Sequence, residues 1–126
     1  MNYINNQSIF LQIADRICDR VLSGEYLPDN RIPSVRELSA QMEVNPNTAM
    51  RSFERLQQHG IIYNKRGIGY FIAPDAREQI REMRRSNFLG ATLPAVFKEM
   101  TLLEIPFSEL EKVYNNYQNE INYETK

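Results

Sequence analysis

Three short stretches carry side chains whose types and spacing could do chemistry. In Asn45-Pro46-Asn47-Thr48-Ala49-Met50-Arg51, two amides, a hydroxyl and a guanidinium crowd a few residues. An asparagine amide can pair with adenine N6 and N7, and an arginine fork suits phosphate oxygens or a guanine edge. In Lys65-Arg66-Gly67-Ile68-Gly69, two cations and two glycines stand between the β-prone runs Ile61-Ile62-Tyr63 and Tyr70-Phe71-Ile72. Glycine lets backbone approach a ligand closely, and Lys or Arg can reach phosphates or a narrow minor groove. A plain hairpin also needs glycine for positive φ, so this stretch speaks for a ligand only through what precedes it. The third stretch, Ser34-Val35-Arg36-Glu37, sets another cation beside a hydroxyl.

Groups suited to catalysis are poor by comparison. The single histidine, His59, stands beside Gly60, where it caps carbonyls or meets solvent. No paired carboxylates, glycine-rich phosphate loop or metal-ligand spacing accompanies it. The expectation is no enzyme, no catalytic residue, no cofactor and no metal. Cys18 is the single cysteine; it cannot form an internal disulfide, has no partner for a zinc site, and is expected to be a small buried hydrophobe.

The elements that must position these groups are legible from periodicity and caps. Ile9, Ile13, Ile17 and Val21 recur every fourth residue and predict a first helix, stopped by Gly24. After an irregular connection, GEYLPDNRIP, Ser34 and Glu37 make a capping box for a second helix with Val35, Leu38 and Met42 on one face. Asn45 caps a third helix and Pro46 suits its first position. There Ala49, Phe53 and Leu56 face inward, which leaves Asn47, Arg51, Glu54 and Gln58 outward, and Gly60 closes the helix. Two short helices across a tight turn, the second beginning with polar and basic residues and followed by a glycine-rich hairpin, have the layout of a winged helix-turn-helix.

Beyond Pro74, DAREQIREMRRSN carries only Ile80 and Met83 at helical spacing and reads as a solvated connecting helix. Phe88, Leu89, Leu93, Val96, Phe97 and Met100 then form an apolar stripe, with Pro94 either kinking one long helix or opening a new one. Ser108 and Glu111 form a further capping box ahead of Leu110, Val113, Tyr114 and Tyr117. The pattern is an αα-hairpin with more apolar surface than two helices bury between them, and a second copy of the chain is the expected partner.

With 126 residues, 42% apolar and 25% charged, the chain has the composition of a folded protein with room for a small module and an appendage. No apolar run approaches the roughly 18–20 residues of a membrane span, and the N-terminus lacks the pattern of a signal peptide, so a cytoplasmic location is expected. The net charge of −1 argues mildly against nucleic acid, but residues 31–74 hold six basic and three acidic side chains, whereas residues 75–126 hold seven and nine. A local basic patch can bind phosphates whatever the net charge.

From about Ile9 to Ile72 the chain resembles the GntR family of bacterial regulators, in particular its short YtrA-like members. The resemblance is carried, in family order, by FLQIADRI, RIPSVRELS, VNPNTAMRSFERLQQHGII and KRGIGYFI. It implies a winged helix-turn-helix that dimerises on a two-fold symmetric operator, usually as a repressor. It also implies DNA contact at Arg36, at Asn47 and Thr48, which open the groove-entering helix, and at the wing tip Gly67; Ser34, Asn45, Arg51, Lys65 and Arg66 are expected to contact DNA as well. Many relatives carry arginines at the positions of Pro46 and Met50; the short subgroup shares the NPNT form and has its arginine at Arg51. Asp29-Asn30 replaces the usual Pro-Gly turn. Larger relatives append a ligand-binding or aminotransferase-like domain, and residues 75–126 leave little room for a deep effector pocket; a small effector is of unknown identity.

The expected architecture is therefore mostly α with a small β-hairpin wing: a winged helix-turn-helix DNA-binding domain over residues 1–74, then a helical dimerisation region over 75–126. The dimerisation residues are expected to be Leu93, Val96, Phe97, Met100, Leu110, Val113 and Tyr114. The expected function is a homodimeric transcriptional repressor on double-stranded DNA. The alternative is a winged helix used for protein–protein contact, which should carry apolar anchors on the outer face of the third helix where Asn47, Thr48, Arg51 and Arg55 stand instead.

Overall fold

The computed structural model describes residues 8–124, with side chains through residue 122. These fall into two compact units that divide between Ser86 and Asn87.

In the first unit, α1 (Ile9–Leu22), α2 (Val35–Met42) and α3 (Pro46–Gln58) pack together ahead of a two-stranded antiparallel hairpin, β1 (Ile62–Lys65) and β2 (Gly69–Ile72). The predicted caps are in place. The Ser34 hydroxyl accepts from the Glu37 N–H at 3.1 Å, and Asn45 Oδ1 accepts from the Asn47 N–H at 2.8 Å. Pro46 opens α3, where its missing N–H has no partner to lose. Glu43 closes α2 in the left-handed region at φ 54°, and the Val44 N–H turns back to the Ser39 carbonyl at 3.0 Å. That geometry makes the turn of the helix-turn-helix tight without a glycine.

The core comprises Ile13, Ile17 and Val21 of α1, Leu38 of α2, Phe53 and Leu56 of α3, and Ile61, Ile62 and Ile72 around the hairpin. Ile9, placed on the inner face by spacing, is 60% exposed instead. It begins the helix, and neighbouring Phe10 makes the contact with α3: the Ser52 hydroxyl donates to the Phe10 carbonyl at 2.7 Å. Cys18 is buried as expected, and burial pushes its thiol up to about 12.

The connection between α1 and α2 is more ordered than its composition suggests. Arg31 makes a single antiparallel bridge to Phe71 of β2, and residues 29–32 exchange backbone hydrogen bonds with that strand. The Asp29 N–H donates to the Ile72 carbonyl (2.7 Å), Ile32 N–H to Tyr70 (3.0 Å) and Ile72 N–H to Asn30 (3.0 Å). Asp29 takes the left-handed conformation at φ 62°, and its carboxylate accepts the Tyr63 hydroxyl at 2.8 Å.

The helix after the wing, α4 (Ala76–Asn87), is not a solvated linker. Ala76, Ile80 and Met83 are buried in the core of the first unit, and Arg84 donates to Asp19 at 2.9 Å. The compact unit therefore extends past residue 74 to Ser86, because these apolar side chains complete a core that the first three helices leave open.

In the second unit, residues 88–92 form one wide π turn, followed by α5 (Leu93–Leu102) and α6 (Phe107–Glu124). Pro94 stands within the first two positions of α5. The wide turn removes the need for the hydrogen bond that proline cannot donate. Glu104 (φ 56°) ends α5, with the Ile105 N–H returning to the Met100 carbonyl at 2.9 Å. α6 then starts at Phe107, where the Pro106 carbonyl accepts from Glu109, so Ser108 lies inside the first turn rather than capping it. The two helices do not pack along their lengths, and no described residue of this unit is buried.

Candidate nucleic-acid interface

Asn47, Arg51, Glu54 and Gln58 all lie on the exposed face of α3, opposite buried Ala49, Ser52, Phe53 and Leu56. Thr48 is half-buried, and its carbonyl accepts the Ser52 hydroxyl at 3.2 Å. The Arg51 guanidinium sits 4.2 Å from the centre of the Phe10 ring. A cation so stacked keeps its donors free at the rim while losing little freedom on meeting an anion. Arg36 is exposed on the first turn of α2. Ser34 and Asn45 engage their oxygens in caps, which leaves the hydroxyl proton and the amide N–H donors for an outside acceptor.

The wing presents Lys65 and Arg66 in the open. Lys65 Nζ is 4.6 Å from the centre of the Phe71 ring, which stacks on Tyr63 at 5.6 Å. The Ile68 N–H donates to the Lys65 carbonyl at 2.9 Å across a turn that requires φ +79° at Gly67, so that glycine is first a conformational necessity. The bridge from Arg31 to Phe71 also brings Arg31 to this wing, a place its position in the α1–α2 connection does not suggest.

His59 is half-buried at the end of α3, and its pKa is lowered by burial and then by the Arg55 charge. Among the described residues no cluster of His, Cys, Asp or Glu could hold a metal ion, and no helix is long and apolar enough to cross a membrane.

Of the residues expected to hold a partner subunit, Leu93, Val96, Met100 and Leu110 are half-buried, while Phe97, Val113 and Tyr114 are exposed. Leu102 and Phe107, at 75% and 68% exposure, extend the uncovered apolar surface across the α5–α6 turn. Their place beside that turn hid them from a count by helical period.

Comparison with known proteins sets this geometry in context. Residues 10–72 match the model of the bacterial regulatory proteins of the gntR family. The HTH-type transcriptional regulator YhcF of Bacillus subtilis is 36% identical, over 84% of this chain and 86% of its own length. The HTH-type transcriptional repressor YtrA of the same organism is 35% identical, over 59% of this chain and 57% of its own. A crystal structure of a GntR-family transcriptional regulator from Bacteroides thetaiotaomicron superposes with a TM-score of 0.73 at 45% identity, covering 90% of this chain and 98% of that one.

Proposed function

The chain belongs to the gntR family of bacterial regulatory proteins, DNA-binding transcriptional regulators rather than enzymes, and from that premise we propose that it is a homodimeric repressor of a two-fold symmetric operator. The observation that carries this reading is the outer face of α3, where Asn47 and Arg51 stand exposed one turn apart beside a wing tipped by Lys65 and Arg66. α3 enters the major groove. The Asn47 amide reads a base edge there, and Arg51 and Thr48 support it one turn along and beside it. Arg36, Ser34 and Asn45 hold the backbone near the start of α2 and α3, and the wing residues Lys65, Arg66 and Gly67 meet phosphate or minor groove.

Repression follows from occupancy. A dimer seated on both half-sites covers promoter sequence that polymerase needs, and the two copies bind far more tightly together than either alone. YtrA of B. subtilis, which shares this size class, is itself named a repressor. The uncovered apolar side chains of residues 87–122 support the second copy: a surface of that extent is unusual on a monomer.

Binding-site selection on the wild-type protein tests the reading, with affinities taken at several salt concentrations. The enriched motif is an inverted repeat. Asn47→Ala relaxes preference at particular base pairs by roughly 1–3 kcal/mol each. Lys65→Ala and Arg66→Ala instead weaken binding to all sequences alike and lower the salt slope by about one per phosphate contact. A motif unchanged by Asn47→Ala but rewritten by a wing variant would reverse these roles, and no enriched motif at all would remove the function.

A further inference from the structure

Arg31 counts in the sequence as one basic residue of a connecting segment; in the fold it belongs to the wing. Its bridge to Phe71 places it directly opposite that residue, and Phe71 is opposite Tyr63 in turn. Residues so paired share one face of a sheet, and Lys65 and Gly69, two positions along their strands and paired with each other, share it as well. Gly69 leaves a notch on that face. A Cβ there would fall 2.8 Å from Arg31 Nε, and the backbone at φ +143° also favours glycine. The Arg31 side chain thus lies across the strand at the one position with no side chain of its own, while Lys65 lies over Phe71.

The charge on this face is unbalanced. Arg31 and Lys65 are both exposed, and among the described residues neither forms an ion pair. The Asp29 carboxylate, two residues from Arg31, accepts the Tyr63 hydroxyl and pairs with neither cation. Two exposed cations, each laid against a fixed surface and neither met by a protein anion, are arranged for an anion from outside. A planar guanidinium in such a place suits a phosphate diester.

We propose that Arg31 is a phosphate-binding residue of the wing, seated in the Gly69 notch so that it and Lys65 grip neighbouring phosphates of the DNA backbone. The proposal rests on the DNA-binding reading above and adds a contact from the segment between α1 and α2. It contributes affinity and position, and no sequence preference.

The test measures salt-dependent affinity for wild type, Arg31→Ala, Arg31→Lys and Lys65→Ala. Two duplexes are used: one carrying the motif that wild type enriches in site selection, and one of scrambled sequence. Losing one phosphate contact on B-DNA lowers the slope of log K against log salt by about 0.9. Arg31→Ala shows that decrease on both duplexes, and Arg31→Lys, which keeps the charge, restores the slope. A wild-type slope in Arg31→Ala beside a lowered one in Lys65→Ala overturns the proposal while leaving the function intact. So does an Arg31→Ala loss confined to the motif duplex, which would make Arg31 a reader of bases. Wild-type protein that prefers neither duplex would instead sink the function itself. If circular dichroism shows Arg31→Ala unfolded, Arg31→Gln is measured in its place against the same two outcomes.

Discussion

The side-chain oxygen of Asn45 is tied to the backbone of α3, whereas the side chain of Asn47, two residues on, is exposed. The two asparagines therefore answer to different physics. Removing a helix cap costs about 1 kcal/mol, and serine caps nearly as well. Asn45→Ala lowers the unfolding free energy in urea by that amount, Asn45→Ser recovers most of it, and the selected DNA motif stays the same for both. Wild-type stability with an altered motif would assign Asn45 to base reading instead. Ser34 is the parallel case on α2. Residue types were enough to single out this pair and the wing cations, because caps and exposed helix faces follow from local spacing. They could not single out Arg31, whose role depends on a strand partner forty residues away in the chain.

At the scale of elements, α4 is the clearest case of composition masking position. Ten of its twelve residues, AREQIREMRRSN, are polar or small, so its pattern resembles a solvated helix. Yet Ala76, Ile80 and Met83, spaced by four and three, fall on one stripe that the core accepts. Ile80→Ala empties a fully buried site and costs about 2–5 kcal/mol, whereas Arg81→Ala on the exposed side stays within about 0.5 kcal/mol. Urea unfolding monitored by circular dichroism checks both; equal effects would mean α4 is not part of the core. The first three helices and the wing were legible because each begins with its own cap or ends in a glycine. The bridge at Arg31, the π turn at 88–92 and the early start of α6 were not, since long-range pairing and proline accommodation leave no periodic trace.

For the whole molecule, the division after Ser86 decides what truncation does. If the chain pairs through its second unit as proposed, light scattering of the intact chain is expected to report twice the chain mass. A chain ending at Ser86 stays folded, scatters as a monomer and binds the operator far more weakly, because the two half-sites are no longer engaged together. A chain ending at Pro74 loses Ala76, Ile80 and Met83 from its core and is destabilised as well. An intact chain of single mass at tens of micromolar (a generous concentration for a pair burying a standard interface of roughly 1,600 Å²) contradicts the assembly.

Cys18 has one further consequence for that assembly. It is the chain's single thiol, it is fully buried, and burial pushes it up to about 12, away from the thiolate form. A thiolate is the species that forms disulfides, so two folded copies have no means of becoming covalently joined. Their union stays reversible by dilution, in oxidising as in reducing surroundings. If the chain pairs as proposed, the amount of paired regulator then rises with the square of the free subunit concentration, and redox state leaves that amount unchanged.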